Sequence, residues 1–307
     1  LSQSDGIIEQ LPNDSSSVQA SSDLEFEFIL CLIRRVENAP QAEERIEKIA
    51  ARNPDWSSIQ HLAEKHGLVP LLNEVTTELQ LPVPKEIERA IQTQCRNHAV
   101  RNLQYINQLH LLTSKFREAD LRVIPYKGPV IADLAYGDVS RRWFGDLDFL
   151  VATEDVVRAC EILQQEGYHQ TEFTGISPAK LLTNSPFRWE GEFHFSDRDG
   201  TDVDIRNQFV GKSPEREDIV SDLWDRRSTV AVSGETIPAL SPEDRILILL
   251  AHGTKHAWCR LSWTHDITLL LEQDVDWHVL LDRAAQYGWK TAVLLGLAVG
   301  ASLATID

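Results

Sequence analysis

Two acids one residue apart, Asp146 and Asp148, sit in Arg141-Arg142-Trp143-Phe144-Gly145-Asp146-Leu147-Asp148-Phe149-Leu150-Val151. They run into an apolar stretch that reads as a buried strand. A strand repeats every two residues, so both carboxylates project from one face. Their mutual repulsion is relieved by a cation between them. Oxygen-only ligands favour a hard ion such as Mg2+, which keeps waters and takes further ligands from substrate phosphates. The pair therefore reads as half of a metal–phosphate site. Two solvated acids at a strand end would look the same in isolation, so the surroundings matter.

Upstream, Leu121–Tyr126 reads as a strand that ends in Tyr126-Lys127-Gly128-Pro129. Gly128 permits a tight turn, and Pro129 suits the first turn of a helix over 130–136. Strand, turn and helix start make an anion site. Lys127 at that turn, and Arg141 and Arg142 before the acid pair, are candidate phosphate ligands. Downstream, Asp197-Arg198-Asp199-Gly200 signals a hairpin turn between strands over 187–196 and 201–209. Asp202 and Asp204 share one face of the returning strand, and either would complete a three-carboxylate site.

Other chemistries are disfavoured. His252 and His256 are four apart, but Gly253-Thr254-Lys255 lies between them, without the Glu of a zinc protease motif. Their helix, with Lys255 and Arg260, either packs beside the metal–phosphate site or serves packing alone. Neither a nucleophile elbow nor a Walker A run occurs. The four cysteines, Cys31, Cys95, Cys160 and Cys259, form no Cys-x-x-Cys pair and are expected to be reduced thiols in a cytoplasmic protein.

These residues must be positioned by the rest of a 307-residue chain of net charge −17. Such an acidic balance argues against a nucleic-acid partner. No apolar run reaches the length of a membrane span, and the first residues carry no signal-peptide pattern. The chain starts at Leu1 and contains no Met, so its translated start is expected to lie upstream. Residues 1–23 read as a disordered tail. Helical periodicity dominates 24–118, with breaks at Asn53-Pro54-Asp55, Gly67 and Leu81-Pro82-Val83-Pro84, then one long helix from Lys85 to Glu118. Residues 119–212 carry the strand signals. There Thr153 is expected to cap a helix to Glu166, Tyr168–Phe173 to form a strand, and Leu181–Pro186 a loop. Residues 213–307 return to helix: a helix over 215–226, a small hairpin around Ser233-Gly234, then a strong start at Ser241-Pro242-Glu243-Asp244 and further helices over 261–271, 276–287 and 289–304.

Lys-Gly after a strand, then Arg-x-x-x-Asp-x-Asp, then an acid on a hairpin strand, resembles the DNA polymerase β-type nucleotidyltransferase superfamily. More narrowly, with Ser241-Pro242-Glu243-Asp244, His252, Lys255-His256, Trp258, Arg260-Leu261, Trp263 and Asp266, it resembles the bacterial uncharacterised nucleotidyltransferase family over roughly 24–306. The resemblance implies an α+β fold: a small mixed sheet between N- and C-terminal helical regions. It implies an enzyme that moves an NMP group from an NTP, ATP by expectation, to a hydroxyl of a small molecule, peptide or protein. Asp146, Asp148 and Asp204 would bind two Mg2+, and Lys127, Gly128, Arg141, Arg142 and Lys255 the nucleotide. Two departures stand out. Gly128-Pro129 replaces the usual Gly-Ser or Gly-Gly turn, and Asp204-Ile205-Arg206-Asn207 replaces an acid-Leu-His-Trp run. The competing reading is a non-catalytic nucleotide-binding scaffold on the same fold.

Overall fold

The computed structural model describes residues 23–36, 40–184, 191–207 and 219–304. The chain opens with helices α1 (Asp23–Val36), α2 (Pro40–Ala50), α3 (Trp56–His66), α4 (Val69–Glu78) and the 34-residue α5 (Lys85–Glu118). Local chemistry explains the breaks. Asp55 accepts from the Ser57 and Ser58 amides at the start of α3, and Gly67 ends it in the left-handed region, at φ 72°.

Next come β1 (Val123–Pro125), α6 (Pro129–Tyr136), a 3-10 turn at Val139–Arg141, β2 (Asp146–Val151), a 3-10 turn at Thr153–Asp155 and α7 (Val156–Gln165). Then follow β3 (His169–Gln170), α8 (Pro178–Asn184), β4 (Glu192–Ser196) and β5 (Asp202–Arg206). The chain finishes with α9 (Ile219–Asp225), the hairpin β6 (Ser228–Val232) and β7 (Glu235–Ala239), and α10 (Pro242–Lys255), α11 (Leu261–Leu271), α12 (Trp277–Gln286) and α13 (Lys290–Ala304).

The main sheet has the order β1-β2-β5-β4-β3, with β2 and β5 parallel and the other pairs antiparallel. A small mixed sheet among helices is the α+β architecture expected. The far face of the sheet, through Leu147, Phe149, Val151, Phe193, Phe195, Val203 and Ile205, packs on Tyr105, Leu109, Leu112 and Phe116 of α5 and on α7. Helices α1 to α4 build a second core with the first half of α5. A third core joins α10, α12 and α13 to Leu150, Ile124 and Tyr126, on the near side of the sheet.

Three local expectations change. Residues 178–184 are helical, so 181–184 of the expected loop are helix, and 185–186 lie outside the described residues. Pro178 starts that helix in the manner of a first-turn proline. Thr153 sits inside a 3-10 turn rather than capping α7, and its hydroxyl instead accepts from Asn207 Nδ2 at 3.2 Å. The strand expected over 168–173 shrinks to His169–Gln170, an edge pairing with Ser196 and Phe195. Of the tail expected over 1–23, Asp23 already begins α1 and residues 1–22 lie outside the described residues, as do the outer ends of the strands and the helix expected over 187–190, 208–209 and 215–218.

Candidate active site

The near face of the sheet carries a grid of polar residues fixed by register. Asp146 pairs with Asp202 and Asp148 with Asp204 between the parallel strands. Across the next pair, Ser196 faces Asp202, His194 faces Asp204 and Glu192 faces Arg206. Alternation sends the apolar partners of these residues to the opposite face, so burial of that face holds the polar side chains in line.

Oxygens of Asp146, Asp148 and Asp204 lie within 4.8 Å of one another. Asp148 is the most enclosed, 5 % exposed, and accepts from Tyr126 Oη and Lys127 Nζ, each at 3.2 Å. Asp146 is pushed up to about 7, first by the Asp148 charge, then by burial and Asp204. Asp204 is also raised, chiefly by burial, against the hydrogen bond it receives from His194. Three crowded carboxylates, two of them raised by burial and by one another's charge, are an oxygen donor set that a hard divalent cation fits. Asp202 is set apart: it accepts from Ser196 Oγ and belongs to no such cluster among the described residues.

His194 was not singled out by the sequence. Its Nδ1 is 2.7 Å from Asp204 Oδ1, and its Nε2 is 3.8 Å from Glu172. The Asp204 hydrogen bond is the largest influence on its pKa, raised to about 9. Its signal was the hairpin turn at 197–200, whose register sets residue 194 opposite 204. A similar cross-strand contact ties Arg206 to Glu192.

Gly128 takes φ 50°, ψ −122° and opens α6. A Cβ there would sit 2.9 Å from the Asp146 carbonyl oxygen, so the turn lies directly against the start of β2. Lys127 thereby reaches the acids.

The two arginines diverge. Arg142 is buried and forms a two-point pair with Asp266 of α11, Nε–Oδ1 2.8 Å and Nη2–Oδ2 2.7 Å. Tyr136 Oη donates to the same carboxylate at 2.7 Å, and Arg142 Nη1 lies 3.5 Å from the Gly128 carbonyl. Arg141 instead makes an exposed two-point pair with Glu74 of α4, at 3.0 and 2.6 Å. Both guanidinium groups are thus engaged by protein carboxylates. Lys255 is exposed in the last turn of α10. It lies near His252 and His256, whose rings are 4.7 Å apart and pack on Trp263 at 4.8 and 5.8 Å. Burial, then Lys127, His256 and Arg206, hold His252 neutral, its pKa pushed down to about 2.

Beside the acids opens a cavity of about 600 Å³, lined by Trp143, Glu172, His194, Asp202 and Arg260 among others. Arg260 lies over the Trp143 ring at 5.2 Å. No described helix is long and apolar enough to cross a membrane.

Among solved structures, the chain is similar to the lincosamide antibiotic adenylyltransferase LnuA bound to lincomycin, at 16% identity and TM-score 0.33, over 55% of this chain and 94% of that one. It is similar to ANT(2")-Ia in complex with adenylyl-2"-tobramycin, at 15% identity and TM-score 0.37, over 64% and 96%. A third likeness is an antigenic nucleotidyltransferase-like protein from Paracoccidioides brasiliensis, at 14% identity and TM-score 0.34, over 61% and 89%. No curated protein matches. Residues 52–304 match the family described as uncharacterised nucleotidyltransferase. That match spans most of the chain, the site strands and the C-terminal helices included, and the chain belongs to this nucleotidyltransferase family.

Proposed function

We propose that the chain transfers an NMP group from ATP to a hydroxyl of a small molecule, peptide or protein, with Mg2+ held by Asp146, Asp148 and Asp204. The observation that carries this reading is the convergence of those three carboxylates, with Asp146 pushed up to about 7 by the other charges and by burial. Two divalent ions, when bound, neutralise charge on the attacking and leaving oxygens. The protein supplies position. Lys127 shields Asp148 and reaches toward the phosphates, and Gly128 lets the backbone of the turn approach them. Asp204, steadied by His194, accepts the acceptor's hydroxyl proton. The freed oxygen bonds to the α-phosphorus, and the bond to pyrophosphate breaks. Transfer of this kind depends on placement and charge more than on covalent help. The cavity beside Asp204 takes the acceptor.

In this reading Lys255 approaches the nucleotide from α10, while Arg141 and Arg142 act through the protein: Arg142 fixes the loop before β2, and Arg141 ties it to α4. The layout comprises a helical region over 24–118, a catalytic core over 119–212 and a helical region over 213–307. Four unpaired thiols agree with a reducing compartment such as bacterial cytosol.

The test is pyrophosphate release from ATP with Mg2+ over a panel of hydroxyl acceptors, beside Asp146→Asn and Asp148→Asn. Release that requires Mg2+ and both acids supports the reading. Release retained in the double variant refutes the site. Nucleotide binding without release over the whole panel favours a non-catalytic binding protein.

A further inference from the structure

We propose that Arg206 binds the terminal phosphates of the nucleotide, with Glu192 holding its guanidinium in place. The inference rests on the nucleotide reading above and adds a ligand to it.

Arg206 lies one step beyond Asp204 on the same face of β5, since side chains two apart on a strand share a face. It is 7 % exposed, yet only part of its fork is used. Nη2 meets Glu192, directly opposite on β4, while Nε is buried and has no hydrogen-bond partner. A buried charged group with an unmade hydrogen bond carries a desolvation cost that an incoming acceptor removes. The charges of Arg206 and Lys127 both act on His252 and His256 of α10. Those rings pack on Trp263. Once cations neutralise the three carboxylates, Lys127 loses its counter-charge while Arg206 keeps only Glu192. An anion with several oxygens is the complement. The unpaired Nε–H of a guanidinium offers phosphate oxygens a directed donor that a point charge lacks.

A purely structural role, in which Arg206 only balances Glu192, predicts lost stability but no dependence on the number of phosphates. The test uses the full chain with Mg2+. Calorimetry measures binding of a non-hydrolysable α,β-methylene ATP analogue, of inorganic tripolyphosphate, and of AMP. The variants are Arg206→Gln and Arg206→Lys; the second keeps the charge against Glu192 and so protects the fold. Loss of hydrogen bonds to a charged group predicts roughly ten- to a hundredfold weaker binding of the analogue and of tripolyphosphate. AMP binding changes less than about threefold, within the scatter of context effects. Melting temperatures report folding separately. If folded Arg206→Gln binds the analogue and tripolyphosphate as the wild type does, the role of Arg206 is overturned while the nucleotide reading stands. If the wild type binds neither, the nucleotide reading itself falls, and this inference with it.

Discussion

His194 Nδ1 stands 2.7 Å from Asp204 Oδ1, across the antiparallel pair of β4 and β5. The imidazole is thereby a holding partner for the third carboxylate, in the way outer residues orient metal ligands elsewhere. Its other nitrogen points toward Glu172, at the edge of the cavity.

Replacing His194 by Ala should lower nucleotidyl transfer by about ten- to a hundredfold, the usual effect of losing such a partner. Steady-state pyrophosphate release at saturating ATP measures it. Mg2+ affinity should weaken in parallel, and the melting temperature without metal should fall, since a His194 pKa raised to about 9 stabilises the fold at neutral pH. Activity equal to wild type would remove His194 from the site.

Metal should stabilise the protein more at high pH than at low. The pKa of Asp146 is raised from 3.8 to about 7 in the fold. Between those values the folded state holds a proton that the unfolded state has released, so stability falls as pH rises through this window and the full penalty remains above pH 7. Mg2+ relieves that penalty. The Mg2+-induced rise in melting temperature should therefore grow from pH 6 to pH 8. Asp146→Asn should raise the melting temperature at pH 8 without metal, by roughly 2–4 °C for each kcal/mol of repulsion removed. The same variant should abolish most of the Mg2+ response. A Mg2+ shift that is flat with pH contradicts the assignment.

The two neighbouring arginines should behave very differently. Asp266→Ala strands Arg142 as a buried cation and should cost about 3–5 kcal/mol in denaturant unfolding. Arg142→Met combined with Asp266→Leu should recover much of that loss. Glu74→Ala, which removes the exposed partner of Arg141, should cost at most about 1 kcal/mol, and less in high salt. Equal effects at the two sites would contradict the burial difference.

Gly128→Ala should damage both stability and turnover. The residue adopts positive φ, and the added methyl meets the Asp146 carbonyl at 2.9 Å. Strain of this kind costs about 1–3 kcal/mol. Relief requires the turn to withdraw from β2, carrying Lys127 off Asp148. KM for ATP should rise as the unfolding midpoint drops. An unchanged KM with a lowered midpoint would confine the role of Gly128 to folding.

Much of the fold was written locally. Ser241-Pro242-Glu243-Asp244 announces α10, and the Ser241 hydroxyl does accept from the Asp244 amide. Gly67 stops α3, and the periodicity from Lys85 to Glu118 is a single helix. Failures arose where a partner elsewhere decides. Residues 169–170 pair for only two positions because β3 is an edge strand. Thr153 is drawn to Asn207, which no local signal names. In the candidate site the acid pair was visible as a pattern, since period two needs no tertiary information. The place of His194 needed the register of a hairpin. The engagement of Arg142 needed Asp266, from a helix whose own periodicity says nothing about the loop before β2.

That last pairing fixes a time as well as a place. Arg142 and Asp266 are 124 positions apart, and synthesis proceeds at roughly 5–20 residues per second. On the ribosome the guanidinium therefore waits about 6–25 s for its carboxylate. During that interval the turn at Gly128 lacks its backing. A chain released before α11 emerges lacks the carboxylate that fixes the loop before β2.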